Sequence, residues 1–473
     1  MSLSQRIARW LFGKNTDPVG RPEDVGFRDS PGFADKAASP ASEPRPRPAP
    51  ADNNSTLVVG SAERRLPEPE LPAFYQPAVV QPQPRPYDAP GLLTRHLSYD
   101  REDLQEAWAL VSDRADTFVS TFYAELFVRL PDAMFMFPSQ MSRQRQDFGK
   151  ALIQWVLADD PEAMTIHLQQ LGADHRKFDV EPRQYEVAGA ALVSTWKTLA
   201  GPQWRPRYEA AVLGSYTRLA SVMIDGAMRS LSEPASWSAR VVEHHRVLQD
   251  FAVVRIQPDA PYAFRPGQYL TVELATRAKE WRQMSIASAP RADNTFDIHV
   301  RSVGATGVSA ALVMHTRVGD RLRLGPPRGN DLVVEPGTVP GGLLCVSSGT
   351  GAAPITAVVE SILDWPDQRP VYAFVGGRNR DDIYPVGQLN QLIQARARME
   401  AVQVFGVVSD DPSYAGYRGR VETVVPPLAN WAGLGVEVLV AGPDPMIAAT
   451  VQNLTEAGVP ADKIHFDQYE VAA

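Results

Sequence analysis

The chain has 473 residues, 44% of them hydrophobic and 22% charged, which is enough for two or three domains that each bury a core. Its formal net charge is −8 and it has no sustained Lys/Arg run, which argues against nucleic acid as a partner. Cys345 is the only cysteine, and no apolar run approaches the roughly 20 residues that span a bilayer. We therefore expect a cytoplasmic protein without internal disulfides or a transmembrane segment.

Residues 1–94 have the composition of a disordered arm, because Pro, Ala, Ser and Asp dominate and apolar residues are too few to offset the entropy of ordering. The Trp10–Phe12 cluster beside Arg6 and Arg9 is too short for a secretory signal. We expect the arm to be a passive tail. Docking of its PxxP-like runs into an SH3-like groove on another protein is the alternative.

A helical domain is predicted over residues 95–233. Asp100 precedes the first helix as a capping residue, and Glu102 and Asp103 lie in its first turn, where they suit the helix dipole. Apolar residues then recur at intervals of three and four residues, which places them on one face of a helix; they are Leu104, Trp108, Val111, Ala115, Phe118 and Phe122.

Residues 236–338 change to short alternating segments, which predict a small antiparallel β-barrel. In Tyr269–Leu274, for example, Leu270, Val272 and Leu274 share one face and follow the turn signal Pro266-Gly267.

Residues 339–473 have the pattern of an α/β nucleotide-binding domain. An apolar strand at 343–346, a glycine-rich turn, a helix at 355–363 and a second strand at 371–375 form a βαβ unit. Gly349 and Gly351 in the turn would let backbone N–H groups and the helix N-terminus face a pyrophosphate. An ordinary tight turn is the alternative.

The segments after residue 240 resemble, in the same order, those of the ferredoxin-NADP reductase superfamily. They are Pro266-Gly267-Gln268-Tyr269, Arg282-Gln-Met284-Ser285, Gly307-Val308-Ser309, Gly325-Pro-Pro-Arg-Gly329, Gly349-Thr350-Gly351-Ala-Ala-Pro354, Ala441-Gly442-Pro443-Asp-Pro-Met446 and Phe466-Asp-Gln-Tyr469. The resemblance implies an FAD site over the first four segments and an NAD(P)H site over the next two.

Within that resemblance, Arg282 and the Gly307–Ser309 backbone would hold the flavin phosphates, because a guanidinium binds phosphate oxygens bidentately. Ser285 would lie beside the flavin N5 atom. Tyr469 would cover the flavin face until nicotinamide displaces it, although a tyrosine packed in a terminal strand is the alternative.

Two residues depart from the superfamily pattern. Met284 replaces the usual aromatic residue that stacks on the flavin, and a thioether at the ring edge implies weaker or altered flavin binding. Ala441 replaces a cysteine near the nicotinamide, which puts fast hydride transfer in question.

The sequence identifies the dinucleotide less clearly than it identifies the flavin. Arg378 and Arg380 are suited to a 2′-phosphate, whereas Asp381 and Asp382 follow immediately. We expect NAD(P)H, with NADPH favoured.

The helical segments Phe122-Tyr123-Ala-Glu-Leu-Phe127, Leu130 to Phe137 and His175 to Gly189 resemble the globin domain of flavohaemoglobins. The resemblance implies haem b, with His175 as the iron ligand and Tyr185 beside it. Tyr123 would lie on the distal side with Gln144 as its partner, and Phe137 would wedge against the haem. Iron needs a neutral imidazole whose other nitrogen is held by a hydrogen bond.

Alternatives to this haem site stay open at the sequence level. His175 could be a surface histidine at a helix C-terminus, and His167 is a competing ligand. The family also pairs its proximal histidine with a late glutamate, but Arg229 falls near that place and Asp225 lies about one turn away. Dioxygen binding is therefore better supported than peroxidase-like activation.

Together these resemblances imply an NAD(P)H-dependent oxidoreductase that reduces its own haem and uses bound dioxygen to oxidise nitric oxide to nitrate. The catalytic residues implied are Tyr123, Gln144, Tyr185 and Ser285. An oxygen- or redox-sensing globin, and a reductase that passes electrons to another acceptor, are the alternatives.

Overall fold

The computed structural model describes residues 99–157, 164–366 and 369–467. The arm at 1–94 and Tyr469 lie outside these residues, so the interpretations made for them stay predictions. The domain limits 95–233, 236–338 and 339–473 stay predictions as well. Among the described helices, none is long and apolar enough to cross a membrane.

Helices dominate the described chain up to residue 229. They are α1 (Arg101–Ala109), α2 (Ala115–Arg129), α3 (Ser142–Leu157), α4 (Thr165–His175), α5 (Pro182–Ala200) and α6 (Pro206–Arg229). Asp100 caps α1 as predicted, because its Oδ1 accepts the backbone N–H groups of Glu102 and Asp103 at 2.8 and 3.3 Å.

The predicted apolar face of this region is confirmed, since all six of its residues are buried. It does not form one continuous helix, however, because a 3₁₀ turn at Ser112–Arg114 separates α1 from α2. Trp108 and Phe118 from this face contact Trp196 of α5 edge-on, with ring centroids 6.2 and 4.6 Å apart.

Two glycines allow α4 and α6 to cross with their backbones in contact. A Cβ on Gly172 of α4 would lie 1.8 Å from the carbonyl oxygen of Met223, and one on Gly226 of α6 would lie 2.1 Å from that of Gln169. This crossing fixes the position of His175, the last residue of α4.

The next part of the described chain is an antiparallel barrel, as predicted. Its sheet order is β4-β3-β6-β1-β2-β5, and a bridge between Ile286 and Ile298 brings its two edge strands together. The strands are β1 (Trp237–Leu248), β2 (Phe251–Pro258), β3 (Tyr269–Leu274), β4 (Arg282–Ser285), β5 (Phe296–Arg301) and β6 (Arg321–Leu324), and helix α7 is Val308–Met314.

A parallel sheet follows, in the order β10-β9-β8-β7-β11-β12. Its strands are β7 (Leu343–Ser348), β8 (Val371–Gly377), β9 (Val402–Val408), β10 (Tyr417–Arg418), β11 (Glu437–Ala441) and β12 (Ile464–His465), and its helices are α8 (Ala352–Ile362), α9 (Pro385–Ala395), α10 (Val421–Val424), α11 (Trp431–Leu434) and α12 (Asp444–Glu456). The strand order reverses between β7 and β11, which is where open α/β sheets bind their ligands.

Helix α8 begins three residues before the predicted start at Ile355. The 3₁₀ turn Gly349–Gly351 leads directly into it. Pro354 lies in the first turn, where its missing N–H is not needed for the helix.

Candidate cofactor sites

His175 and Tyr185 meet at the turn between α4 and α5. Helix α5 begins at Pro182 with a capping box formed by Glu181 and Gln184, which brings Tyr185 into its first turn. The Tyr185 hydroxyl lies 2.7 Å from Nδ1 of His175. This contact leaves Nε2 as the nitrogen available to an iron ion.

The environment of His175 keeps its imidazole neutral. The residue is half-buried, and burial of the ring by surrounding protein atoms lowers its pKa from 6.5 to about 4; Asp174 raises this pKa and Lys177 lowers it, both by smaller amounts. The backbone oxygen of Tyr185 accepts the Tyr216 hydroxyl at 2.8 Å. A neutral, oriented imidazole is the form that binds haem iron.

His167 is a competing ligand from the sequence, and Asp225 lies about one turn from the place of the missing glutamate. His167 is exposed on α4. Asp225 of α6 accepts hydrogen bonds from Gln169 at 3.0 Å and from Arg229 at 2.7 Å. Asp225 is therefore engaged across the crossing of α4 and α6.

Tyr123 and Gln144 also lie together, on α2 and α3. The Tyr123 hydroxyl donates to the backbone oxygen of Gln144 at 3.3 Å, and its ring lies 5.5 Å from that of Phe137. Burial raises the pKa of the phenol, so it keeps its proton at neutral pH. The Oε1 atom of Gln144 is buried and has no hydrogen-bond partner among the described residues, as expected of a group that meets a ligand.

The predicted flavin residues come together on β3 and β4. Tyr269 pairs with Ser285, and Val272 pairs with Arg282. The half-buried guanidinium of Arg282 has no hydrogen bond or ion pair to any described residue, and burial, assisted by Arg143, lowers its pKa. A cation in these surroundings is suited to an anion such as a diphosphate.

Replacing Arg282 with methionine is expected to weaken FAD binding about 10- to 100-fold, because a hydrogen bond to a charged group contributes roughly 1.5–3 kcal/mol. Titration of flavin fluorescence measures this change. Arg277→Met, which removes a half-buried cation from the same domain, is the control. Equal FAD affinity in the two variants would exclude Arg282 from the flavin site.

Met284 and Gln268, which are also predicted to contact the flavin, both make contacts within the barrel domain. Met284 is buried in the apolar core of the barrel. The Gln268 amide is part of the turn before β3, since it accepts from the backbone N–H of Arg265 at 2.8 Å and donates to Gly329 at 3.1 Å. Their contacts with flavin stay predictions.

Gly307 precedes helix α7 with φ of 92°, a conformation that favours glycine. Val308 and Ser309 form the first turn of α7 and are buried. The Ser309 hydroxyl accepts the backbone N–H of Val303 at 3.2 Å. This first turn presents backbone N–H groups that the helix itself does not use.

The predicted dinucleotide segments meet at the carboxyl ends of β7 and β11. Gly349 has φ of 58°, and a Cβ on Gly351 would lie 2.3 Å from the backbone oxygen of Ala441. Gly351 therefore has to be glycine for the turn to lie against the end of β11. The remaining members are Thr350 in the turn, Pro354 in α8, Gly442 and Pro443 after β11, and Met446 in α12.

Arg378 is exposed, and its side chain forms no hydrogen bond or ion pair with a described residue. Arg380 is paired with Asp411 at 3.0 Å. Asp382 is buried, accepts the backbone N–H of Arg378 at 3.1 Å and pairs with Arg301 at 2.7 Å. Asp382 therefore stabilises the turn that contains Arg378 and links it to Arg301 of the barrel.

The sequence reasoning missed Asp467. Its carboxylate is buried, and it contributes, after burial, to raising the pKa of Tyr269. A Cβ on Gly329 would lie 2.9 Å from the Tyr269 ring and 3.5 Å from Asp467 Oδ1. The available signal was the place of Asp467 inside the terminal segment that resembles the reductases.

Three family models match successive parts of the chain. The globin model matches residues 120–223, the oxidoreductase FAD-binding domain matches residues 238–331, and the oxidoreductase NAD-binding domain matches residues 345–452. Their order is the one predicted from the sequence.

Relatives combine the same parts. The flavohemoprotein of Vibrio cholerae is 23% identical over 384 residues, which cover 76% of this chain and 94% of that protein. The flavohemoprotein of Deinococcus radiodurans is 28% identical over 295 residues, covering 57% and 72%. The chain is a flavohaemoglobin-like globin-reductase fusion.

A solved structure shares the fold of this flavohaemoglobin-like fusion. It is the flavohemoglobin from Malassezia yamatoensis, with a TM-score of 0.62 and 20% identity, covering 80% of this chain and 99% of that one. The reductase part of the fusion also matches the xylene/toluene monooxygenase electron transfer component of Pseudomonas putida, at 29% identity over 249 residues, covering 52% of this chain and 69% of that protein. The fusion is thus an NAD(P)H-dependent oxidoreductase by its domains.

Proposed function

We propose that the protein is an NAD(P)H-dependent nitric oxide dioxygenase that uses haem b and FAD. The observation that carries the proposal is the 2.7 Å contact between the Tyr185 hydroxyl and Nδ1 of the neutral His175. When bound, FAD accepts hydride from the dinucleotide and supplies single electrons, and haem supplies the iron that binds dioxygen.

His175 is the residue that would hold the haem iron, through Nε2. With its hydroxyl oxygen as acceptor, Tyr185 fixes the tautomer that carries a proton on Nδ1 and orients the ring. Phe137 lies against Tyr123 and would contact the haem.

Tyr123 and Gln144 would act on the distal side. A buried phenol that keeps its proton would turn from the backbone oxygen of Gln144 to donate to a dioxygen ligand, and would stabilise negative charge on it. The Gln144 amide, whose Oε1 atom has no partner among the described residues, is the second polar group at this site, and amide rotation would let it donate as well.

The flavin and dinucleotide are proposed to meet along β3, β4 and the ends of β7 and β11. Arg282 and the first turn of α7 would bind the flavin phosphates, and Ser285 would lie beside the reacting nitrogen. Gln268, Tyr269 and Met284 are proposed as further flavin contacts, with Tyr469 over the flavin face. The dinucleotide would lie on Gly349–Gly351, Gly442, Pro443 and Met446.

Dioxygen, nitric oxide and the dinucleotide are the proposed small-molecule partners, and the cytoplasm is the proposed compartment because the reaction consumes NAD(P)H. A reductase that passes electrons to another acceptor is the second candidate. The likeness of the reductase part to an electron transfer component favours it. In that case the globin would have a regulatory role.

Anaerobic titration of the purified full chain with NADPH tests the proposed function. We expect the flavin absorbance to bleach and the haem bands to shift to the ferrous form within seconds. Addition of dioxygen and nitric oxide should then give nitrate over many turnovers. A haem that stays ferric while flavin is reduced, or NADPH oxidation unaffected by nitric oxide, would favour the second candidate.

Arg378→Gln is expected to weaken NADPH about 10-fold or more and to leave NADH unchanged, because a charged hydrogen bond to a 2′-phosphate contributes roughly 1.5–3 kcal/mol. The KM for each dinucleotide is the measurement. Arg380→Gln is the matched control, since Arg380 is already paired with Asp411. A parallel loss for both dinucleotides would contradict a role in 2′-phosphate recognition.

A further inference from the structure

Lys177 is a buried lysine two residues after His175, and it joins the helical part of the chain to the barrel. Its side chain is almost enclosed, with the residue 7% exposed. Its Nζ atom lies 3.5 Å from Oδ2 of Asp174 and donates to the hydroxyl of Thr271 at 3.3 Å. Because a buried ammonium is costly without partners, these contacts strongly restrict its position.

The indole of Trp281 provides a second contact for this lysine. Lys177 Nζ lies 4.9 Å from the ring centroid of Trp281, and Cζ of Arg323 lies 5.2 Å from it. Arg323 also donates to the backbone oxygen of Lys177 at 3.2 Å and pairs with Glu273 at 2.8 Å. The barrel thus holds Lys177 by its side chain and by its carbonyl group.

Asp174, on the other side of His175, has its own link to the barrel. Its Oδ1 lies 3.3 Å from the guanidinium of Arg328. The backbone of Arg328 exchanges two hydrogen bonds with Tyr269, at 2.9 and 2.7 Å. Thr271 and Tyr269 belong to the same strand, β3, and Tyr269 pairs with Ser285.

We propose that Asp174 and Lys177 form a clamp that positions His175 relative to β3, with Lys177 as a positioning residue for electron transfer from flavin to haem. The inference rests on the proposed function. In a first step, hydride from NADPH would bring two electrons and one proton to the flavin. In a second step, the flavin would pass these electrons one at a time to the haem iron, each reducing ferric iron to ferrous in its own turnover, and would release the proton to solvent. The clamp sets the distance for this second step and has no part in the first.

Stopped-flow reduction of the holoprotein by NADPH, without dioxygen, separates the two steps. We expect Lys177→Met to leave flavin bleaching unchanged and to slow haem reduction several-fold, because the rate of electron transfer falls as the distance between donor and acceptor grows. Lys177→Arg, which keeps the cation, should restore most of the rate. Unchanged haem reduction in Lys177→Met would overturn the proposal.

Lys197→Met is the matched control, because Lys197 lies in α5 and forms an exposed ion pair with Glu209. In Lys197→Met, flavin bleaching and haem reduction should both proceed at the wild-type rates. The ferric haem spectrum of Lys177→Met should also stay normal, and a changed iron ligand would mean that Lys177 supports the haem site itself, which contradicts a role limited to the clamp.

Amide hydrogen exchange provides a readout that does not depend on turnover. In Lys177→Met we expect faster exchange both around residues 174–178 and in β3, with no change in α5 outside its first turn. Exchange equal to that of the unchanged protein would overturn the clamp even if wild-type haem is reducible. If wild-type haem is not reduced by flavin, the proposed function fails, while the exchange result still decides whether the clamp exists.

Discussion

Replacing His175 with glycine is expected to remove haem from the protein while NADPH still reduces the flavin. Substitution of groups that merely orient a metal ligand costs about 10- to 100-fold in metal affinity, so loss of the ligand itself should cost more than about 100-fold. His175 is the last residue of α4, so glycine there costs less helix stability than it would in the helix interior. The haem-to-protein ratio and the haem absorbance bands measure the effect.

Free imidazole added to His175→Gly should restore part of the haem absorbance, because it supplies the missing nitrogen in the space of the lost ring. His167→Gly is the control, since His167 is an exposed histidine on the same helix. Retention of normal haem bands by His175→Gly without imidazole would contradict the assignment of His175. Loss of haem in His167→Gly alone would identify the competing ligand.

The contact between His175 and Tyr185 could be anticipated from the sequence because it is local. Only ten positions separate the two residues, and Pro182 marks the start of the helix that presents the tyrosine. Likewise, the glycines that end β7 and β11 lie at positions that the βαβ pattern already implies. A single sequence predicts most clearly the contacts between residues that are close along the chain and the turns that glycine or proline requires.

The surroundings of Asp225 could not be anticipated in this way. Its pairing with Gln169 depends on how α6 is rotated against α4. That rotation follows from backbone contact at Gly172 and Gly226, and a helical period does not report which turns of two helices touch. The sequence therefore placed Asp225 about one turn from the glutamate position but could not identify Gln169 as its partner.

The clamp was also beyond sequence reasoning, because its members are distant along the chain. Lys177 is 94 positions from Thr271, and Arg323 is 146 positions from Lys177. On sequence alone, a lysine that follows a helix end is expected to be solvated. Only the packing of the barrel against this segment buries it.

The second large effect is expected at the crossing of α4 and α6, where Gly172→Ala should destabilise the helical domain by more than about 3 kcal/mol. Overpacking of a core typically costs about 1–3 kcal/mol even when side chains can yield. Here the new Cβ would lie 1.8 Å from the backbone oxygen of Met223, so the helices themselves must separate. Such a loss is a large part of the stability of a domain, about 5–15 kcal/mol.

Gly387→Ala is the matched control, because Gly387 lies in α9 and no atom of the described residues comes within 4 Å of the place that its new Cβ would take. There the same substitution should be neutral or stabilise by up to about 1 kcal/mol, since alanine favours a helix over glycine. Unfolding in urea, followed separately by haem absorbance and flavin fluorescence, should show an early haem transition only in Gly172→Ala. A haem transition at the wild-type urea concentration would mean that α4 and α6 can separate at little cost, and His175 would then owe its position to the clamp and Tyr185 rather than to the crossing.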